Sequence, residues 1–436
     1  MKRVDWRQLD ESQKREALAR PEAAATAGLA SDVARMLAQV RADGDSTLRA
    51  LTRRFDGVEL DRIEVQADEF DAAQSSVGLE LKQALRDAHR RIEAFHRAGM
   101  QADHALETAP GMLCERTARP IGTVGLYVPA GSAPLPSTAL MLGVPAALAG
   151  CPQRVMCTPP RADSRADALT LVAAAMCGVK RVFKLGGAQA IAAMALGTES
   201  VPRCDKLFGP GNAWVTEAKR QVSVLRHGVA IDMLAGPSEV LVVADRHANP
   251  EWIAADLLAQ AEHGPDSQVL LVTDCATLIE AVERALVAQI AKLPRRETAA
   301  SALQHSRAVR VSDIAEAIAV SNAYAPEHLL LQVTDAREFL PQVTNAGSVF
   351  IGAWTPESLG DYASGTNHVL PTDGWARSVG GLSVASFQRQ MTVQTATAGG
   401  LAALAPCVVA LARAEGLDAH ARAVELRLES PAGLAA

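Results

Sequence analysis

The sequence has few of the features that mark membrane, secreted or nucleic-acid-binding proteins. Its 43 Lys and Arg residues are outnumbered by 49 Asp and Glu residues, so there is no positive excess for a phosphate backbone. Its two most apolar stretches, 139–151 and 396–412, are too short or too interrupted by Gly and Pro for a membrane span. The charged N-terminal stretch MKRVDWRQLDESQKREALARPE does not resemble a secretory signal. These absences predict a soluble, cytoplasmic protein that binds small molecules.

Cysteine and aromatic residues are also scarce. The seven cysteines are scattered and include no C-x-x-C pair, a pattern typical of buried thiols in a reducing compartment. Aromatic residues make up only 4% of the chain whereas hydrophobic residues make up 49%, so Ala, Val and Leu must supply most of the core. A chain of 436 residues with this composition predicts a large core and two or three domains.

Hydrophobic periodicity predicts the fold class. Residues 29–99 carry apolar positions at helical spacing among many charges, which predicts surface helices. From residue 121 onward, short β-rich runs alternate with Ala-rich helical runs, as they do in βαβ units, and a second series begins after Gly236. The predicted fold is α/β: two doubly wound Rossmann-like domains with parallel sheets, N-terminal helices and an extended C-terminal helical tail.

The two strand–helix series also suggest domain boundaries. The expected parts are an N-terminal helical segment, 1–28; a first α/β domain with the metal and catalytic residues, 29–129 and 238–380; a second α/β domain on the NAD side, 130–237; and a tail, 381–436. The tail belongs to neither sheet, so it must dock onto the body or onto a partner subunit.

The stretch AQAEHG places Gln260 and His263 three residues apart at the end of a helical pattern that begins at Asn249 and stops at Gly264. A buried amide beside an imidazole needs hydrogen-bond partners, and a metal ion would satisfy both. A histidine that packs, or that interacts with the helix dipole, is the more common explanation of such a pattern. Asp361, in the loop-like run 354–372, and His420, in the final helix, are candidates for further metal ligands.

Two other patterns can carry chemistry. Glu327 and His328, in APEHL before a predicted strand, suit general acid–base catalysis, although solvated turn residues explain them as well. The turns KLGGAQA and FGPGNAW lie between a strand and a helix, where main-chain N–H groups can approach phosphate. Neither turn completes G-x-G-x-x-G, and close turn packing is the alternative explanation of their glycines.

Together these segments resemble the histidinol dehydrogenase family. The resemblance runs in order through RPIGTVGLYVPAGSAPLPST, KLGGAQAIAAMALGT, DKLFGPGN, IDMLAGPSEV, LLAQAEHGPDSQ, NAYAPEHL, TNAGSVFIG, ESLGDYASGTNHVLPT and EGLDAHARAVELR. It implies the oxidation of L-histidinol to L-histidine through L-histidinaldehyde, which is the last step of histidine biosynthesis. Two NAD molecules and one zinc ion per subunit are the implied cofactors.

The resemblance also implies roles for individual residues. The implied zinc ligands are Gln260, His263, Asp361 and His420, a set that zinc accepts and that manganese can share. The implied substrate contacts are these four ligands together with Ser238, His328, His368 and Glu415. The implied NAD contacts are Tyr127, Gln189 and Asn212. The family's intertwined homodimer implies that the tail supplies Glu415 and His420 to the neighbouring subunit.

The expected chemistry removes two hydrides in turn from one carbon. Loss of hydride from an alcohol requires that the O–H proton also leaves, and His328 is the expected base. The aldehyde must then gain water, which Glu327 is suited to activate. A zinc hydrolase with Glu327 as base, a non-catalytic metal-tethered dimer and a dehydrogenase of another small alcohol, such as sulfopropanediol, are the alternatives. A test of NAD binding would separate the first two from the expected function, while His368 and Glu415 favour a cationic or imidazole-bearing substrate.

Overall fold

Helices and strands alternate through most of the chain in its computed structural model, which describes residues 1–21, 28–130, 134–234 and 236–429. The helices are α1 Glu11–Ala17, α2 Leu29–Phe55, α3 Ala67–Ser76, α4 Leu79–Ala98, α5 Pro136–Leu148, α6 Ala168–Met176, α7 Gly187–Leu196, α8 Ala213–Ser223, α9 Pro250–Ala261, α10 Ala276–Ile290, α11 Arg296–Gln304, α12 Ile314–Tyr324, α13 Glu357–Tyr362, α14 Ala398–Ala414 and α15 Asp418–Glu429. The strands are β1 Lys2–Asp5, β2 His104–Ala109, β3 Met112–Pro120, β4 Thr123–Tyr127, β5 Gln153–Thr158, β6 Arg181–Lys184, β7 Lys206–Phe208, β8 Ala230–Ile231, β9 Glu239–Ala244, β10 Gln268–Thr273, β11 Arg307–Arg310, β12 His328–Gln332, β13 Ser348–Ile351 and β14 Gln388–Ala396. Short 3-10 helices cover Trp6–Gln8, Ala336–Gln342, Trp375–Arg377 and Val384–Phe387.

The chain divides into two units, of which the first contains Met1–Gly99 and Ile121–Phe387. This unit holds two parallel sheets. One of them has five strands in the order β6-β5-β4-β7-β8. The chain runs outward from β4 to β6 and then crosses to β7 on the other side of β4, so the strand order reverses between β4 and β7. Such a reversal makes the sheet doubly wound and opens a crevice at the carboxyl ends of these two strands.

The second parallel sheet has six strands in the order β1-β11-β10-β9-β12-β13. Its strands β9, β10 and β12 are buried along their whole length, as expected for parallel strands covered by helices on both faces. The strand order reverses between β9 and β12, so this sheet is also doubly wound. The predicted α/β class with parallel sheets is confirmed.

The N-terminal segment differs from the predicted helical form. Strand β1 pairs in parallel with β11 and forms the edge of the six-stranded sheet, and α1 follows it. A strand of four residues is too short for its periodicity to be seen in the sequence. Residues 22–27 of this predicted segment lie outside the described part of the chain.

Strand β4 and helices α2–α4 belong with the five-stranded sheet. Strand β4 lies at the centre of that sheet. The predicted first α/β domain had instead combined residues 29–129, which include β4, with residues 238–380. Helices α2 and α4 contribute to the two hydrophobic clusters that cover its faces. The grouping is corrected here because β4 must begin the βαβ series that leads directly through α5 to its neighbour β5.

The second unit contains Met100–Pro120 and the chain from Gln388 onward. It consists of an antiparallel sheet, in the order β14-β3-β2, and the helices α14 and α15. The predicted helical end of the tail is confirmed, but β14 and the hairpin of β2 and β3 were not predicted. Both β2 and β14 are mostly exposed, so they lack the alternation of apolar and polar residues that marks a half-buried strand. Residues 430–436 of the predicted tail lie outside the described residues.

Within the four described ranges, no helix is both long enough and apolar enough to span a bilayer.

Candidate active site and nucleotide crevice

Helix α9 begins where the sequence predicts but ends at Ala261, before the predicted stop at Gly264. The side chain of Asn249 accepts a hydrogen bond from the main-chain N–H of Glu251 at 2.9 Å, and Pro250 occupies the first turn. Gln260 lies in the last turn and is buried, while His263 lies in the turn that follows and is exposed. The Nδ1 atom of His263 donates to the carbonyl oxygen of Ala259 at 2.9 Å, which leaves its Nε2 atom free to bind a metal ion.

The side-chain amide of Gln260 has a defined orientation. Its nitrogen lies 2.5 Å from Oε1 of Glu357, 3.1 Å from Nδ1 of His328 and 3.3 Å from the carbonyl oxygen of Glu239, and it donates to the two oxygen atoms. The same orientation turns the amide oxygen towards hydrogen-bond donors. The oxygen is the side-chain atom of Gln260 that can bind a cation, because the amide nitrogen only donates.

His328 and Glu327 lie at the amino end of strand β12, and both are held by one residue of strand β9. The main-chain N–H of Glu239 donates to Oε2 of Glu327 at 2.9 Å, and Nδ1 of His328 lies 3.0 Å from the Glu239 carbonyl oxygen. Because a carbonyl oxygen can only accept, Nδ1 carries the proton and the lone pair of the neutral ring lies on Nε2. Both side chains are almost fully buried.

Helix α13 brings two more carboxyl groups to this place. Nε2 of His328 is 3.9 Å from Oδ1 of Asp361, and Nδ1 is 3.8 Å from Oε1 of Glu357. One ligand atom from each of these three residues lies within 4.8 Å of the other two, a spacing that suits a shared metal ion. Oε2 of Glu357 is buried and has no hydrogen-bond partner. The loop-like run 354–372 thus contains a short helix, α13, which contributes Glu357 and Asp361 to the site.

Burial controls the protonation of the site. It raises the pKa values of Glu327 and Glu357 well above the usual value, and the negative charge of Asp361 raises both further. Burial lowers the pKa of His328, an effect that the charge of Asp361 opposes. The imidazole is therefore neutral near pH 7 and can accept a proton.

Of the remaining predicted substrate and metal contacts, some lie near His328 and the others belong to the second unit. His263 and His368 are close enough to His328 for their charges to lower its pKa. His368 contacts the carbonyl oxygen of Asp361 through Nδ1 at 2.9 Å. Ser238 directly precedes β9, so it lies at the same amino end of the sheet as His328. Glu415 and His420 belong to the second unit, and both are exposed within the single chain.

Sequence reasoning missed Glu239 and Glu357. Glu239 begins a run of apolar strand residues, EVLVVA, and a charged residue at the start of such a run was the available signal. In the structure this residue is only 3% exposed. Glu357 lies in the long loop region that the sequence had marked as functional, four residues before Asp361. That i, i+4 spacing would have placed both carboxyl groups on one side of a helix.

The predicted NAD contacts lie at the carboxyl ends of the five-stranded sheet. Tyr127 ends β4, and its hydroxyl oxygen accepts a hydrogen bond from the N–H of Gly187 at 2.9 Å. Gln189 is buried in the first turn of α7, and Asn212 caps the N-terminus of α8. A Cβ atom at Gly209 would lie 2.2 Å from the carbonyl oxygen of Tyr127, so only glycine fits between β4 and β7.

The structure thus combines a switch-point crevice in one doubly wound sheet with a buried imidazole and three carboxyl groups at the other sheet. These features define the class: a nucleotide-dependent α/β enzyme with a metal-compatible acid–base site. Residues 19–428 match the model of the histidinol dehydrogenase family.

Known relatives agree with this match. The chain is 60% identical to the histidinol dehydrogenase of Xanthomonas euvesicatoria pv. vesicatoria, over 98% of this chain and 99% of that protein. It is 53% identical to that of Photobacterium profundum, over 98% of this chain and 96% of that protein. The crystal structure of histidinol dehydrogenase from Elizabethkingia anophelis superposes with a TM-score of 0.94 at 44% identity and covers 98% of both chains. The chain belongs to the histidinol dehydrogenase family, as predicted, and is therefore an oxidoreductase.

Proposed function

We propose that this enzyme oxidises L-histidinol to L-histidine in two NAD-dependent steps through L-histidinaldehyde, as the last step of L-histidine biosynthesis in the cytoplasm. The observation that carries the proposal is the neutral, buried imidazole of His328 beside Glu327, with the metal-compatible side chains of Gln260, His263 and Asp361 around it. A base of this kind suits an alcohol whose proton must leave together with a hydride.

His328 acts as the base in the first step. Its Nδ1 atom is engaged by the Glu239 carbonyl group, so Nε2 accepts the hydroxyl proton of histidinol. The C–H bond of the same carbon breaks, and its electron pair leaves with the hydrogen as hydride to NAD. The product is the aldehyde and NADH.

Glu327 acts in the second step, in which water must add to the aldehyde carbon. A carboxylate whose pKa is raised by burial is a stronger base than a solvated one, so Glu327 takes the proton of the attacking water. As the water adds, the protonated His328 returns its proton to the aldehyde oxygen, so the hydrate forms and the imidazole is neutral again. The hydrate then loses an O–H proton to His328 and its hydride to a second NAD. The carboxylic acid of histidine is the product.

Zinc is held, in this proposal, by Gln260, His263 and Asp361, with His420 as the fourth ligand. The amide oxygen of Gln260, the free Nε2 of His263 and the carboxylate of Asp361 are donors that zinc accepts, and manganese can use the same set. When bound, the ion supplies a positive charge that orients the amino and imidazole nitrogens of the substrate. Ser238, His368 and Glu415 complete the substrate contacts.

The role of Glu357 gives a test of the metal site. We expect Glu357→Ala to lower the affinity for zinc about 10- to 100-fold, because the Gln260 amide loses the acceptor that orients its oxygen. Zinc affinity would be measured by competition with a coloured chelator. The exposed neighbour on α13 provides the control, Ser358→Ala, which should bind zinc as the unchanged protein does. Equal affinities for all three proteins would contradict the role.

NAD occupies the crevice at β4 and β7, with Tyr127, Gln189 and Asn212 as its contacts. The supporting feature is the close passage of Gly209 beside the main chain of Tyr127, at the carboxyl ends of the two strands where the strand order reverses. The N-termini of α7 and α8 face this end of the sheet and suit a pyrophosphate.

Gly209→Ala tests the nucleotide crevice. Gly209 has a φ of +127°, which an alanine adopts only with strain, and the new Cβ would also collide with Tyr127. We expect the Kd for NAD to rise about 5- to 150-fold, which corresponds to about 1–3 kcal/mol of strain. Calorimetric NAD titration would measure this, with Gly380→Ala as control because a Cβ there meets nothing within 4 Å. An unchanged Kd for Gly209→Ala would place NAD elsewhere.

The working enzyme is, in this proposal, a homodimer with exchanged tails. Glu415 and His420 are exposed in the single chain although a substrate contact and a metal ligand are expected to be enclosed. A tail that reaches the neighbouring subunit resolves this, because each site would then be completed by the partner chain.

The decisive measurement is the number of NADH molecules formed per L-histidine, with and without a chelator. Two NADH per histidine, lost on chelation and restored by zinc, is the expected result. No NADH from histidinol with retained NAD binding would move the substrate to another small alcohol. Zinc binding without any effect of NAD would instead favour a hydrolase or a metal-tethered dimer.

A further inference from the structure

The main chain of one residue connects the two residues that the proposed chemistry uses. Glu239 is the first residue of β9, and its N–H and C=O groups contact the side chains of Glu327 and His328, at 2.9 Å and 3.0 Å. Farther along the strand, main-chain pairing with β12 begins at Val240. Pairing with β12 therefore does not fix the Glu239 groups. They are held instead by the pairing of Glu239 with Gln268 of β10 and by the contacts of the Glu239 side chain.

The side chain of Glu239 is held at both oxygens. Arg20 donates to Oε1 through Nε at 2.5 Å and to Oε2 through Nη2 at 2.8 Å, so the two side chains form a bidentate ion pair. The main-chain N–H of Asp373 also donates to Oε1, at 2.9 Å. The Glu239 carboxylate is nearly fully buried, so these contacts are its compensation for lost hydration.

Arg20 itself is fixed by the body of the protein. Its guanidinium group stacks on the ring of Tyr324, 4.0 Å from the ring centre, and Nη2 donates to the Tyr324 carbonyl oxygen at 3.0 Å. Tyr324 ends the helix that leads through Ala325 to Glu327. Arg20 thus contacts both the residue that holds the catalytic pair and the segment that carries it.

We propose that Arg20 and Glu239 are positioning residues for both oxidation steps: the pair fixes the main chain at Glu239, which holds Glu327 and directs Nε2 of His328 at the substrate. The proposal rests on the function proposed above. A displacement of about 1 Å in a reacting group costs about 10²-fold in rate, so loss of this support should act on turnover. Both half-reactions should slow together, because the main chain of Glu239 serves both residues.

Arg20→Ala tests the proposal by steady-state kinetics on the zinc-loaded enzyme. We expect kcat to fall about 30- to 100-fold with histidinol and with histidinaldehyde, while the KM values and the zinc content stay within about threefold. Added guanidinium ion should restore at least part of kcat, since it can occupy the space beside Glu239. Arg7→Ala is the matched control, because Arg7 belongs to the same segment but pairs with Asp5.

Glu239→Gln provides a second test if Arg20→Ala does not fold. This change keeps the shape of the side chain but weakens its ion pair with Arg20. We therefore expect kcat to fall about 3- to 10-fold in both half-reactions, with unchanged KM. A kcat within twofold of the unchanged enzyme in both folded variants would overturn the proposal, as would a loss confined to zinc binding or to one half-reaction. Failure of the proposed function is distinguishable, because the unchanged enzyme would then form no NADH from histidinol.

Discussion

The Glu327→Gln enzyme should oxidise histidinol to the aldehyde and then stop. Glutamine can still accept the hydrogen bond from the Glu239 N–H, so the main chain and His328 should keep their positions. It cannot take a proton from water, because its amide is not basic. The first half-reaction should stay within about threefold of the unchanged enzyme, while aldehyde oxidation falls about 10²- to 10⁴-fold, the usual contribution of general base catalysis.

Two assays separate the half-reactions. Histidinaldehyde supplied directly should give almost no NADH, while NADH-dependent reduction of the same aldehyde to histidinol should persist. NADH formed per histidinol should drop from two to one. Glu338→Gln, at an exposed position, should behave as the unchanged enzyme does. Equal losses in both half-reactions would remove Glu327 from the water-activating role.

Two inactive variants should restore activity when they are combined in one dimer. We expect Asp361→Ala and His420→Ala each to lose zinc and nearly all turnover. If the tail completes the neighbour's site, a mixed dimer has one site with both changes and one site with neither. Random pairing of equal amounts makes half of the dimers mixed, so about a quarter of full activity should return.

A matched combination controls for this experiment. Asp361→Ala and His263→Ala both alter the first unit, so every site in their mixed dimers carries one change, and no activity should return. Zinc content should follow activity in both mixtures. If Asp361→Ala with His420→Ala also stays inactive after verified mixing, then His420 acts within its own chain or not at all.

The parallel sheets could be predicted because their strands are continuous apolar runs between Ala-rich helices. EVLVVA and QVLLVT are buried along their whole length, and such runs stand out in a sequence. The hairpin of β2 and β3 could not be predicted, since most of β2 faces solvent and its residues need not alternate. Strand β4 was recognised as a strand, but its partner sheet depends on the path of the following helix.

Residue patterns by themselves indicate the site only where its chemistry is local, and most of the other site residues were expected from the family resemblance. Gln260 with His263, and Glu327 with His328, are short patterns whose residue types suggest their use. Arg20 is 219 positions from Glu239, and neither residue has a neighbour in sequence that reveals the contact. Contacts of that kind arise from the three-dimensional packing alone, so periodicity and spacing carry no information about them.

Strand β1 has a consequence for the way the protein is made. It pairs with β11, which leaves the ribosome about 300 residues later, so at 5–20 residues per second the β1 segment waits about 15–60 s for its partner. Arg20, a short distance behind β1, must wait for Tyr324 in the same way. Both are contacts of high sequence separation, and such contacts form late in folding. The newly made enzyme should therefore acquire its bulk secondary structure before it acquires activity.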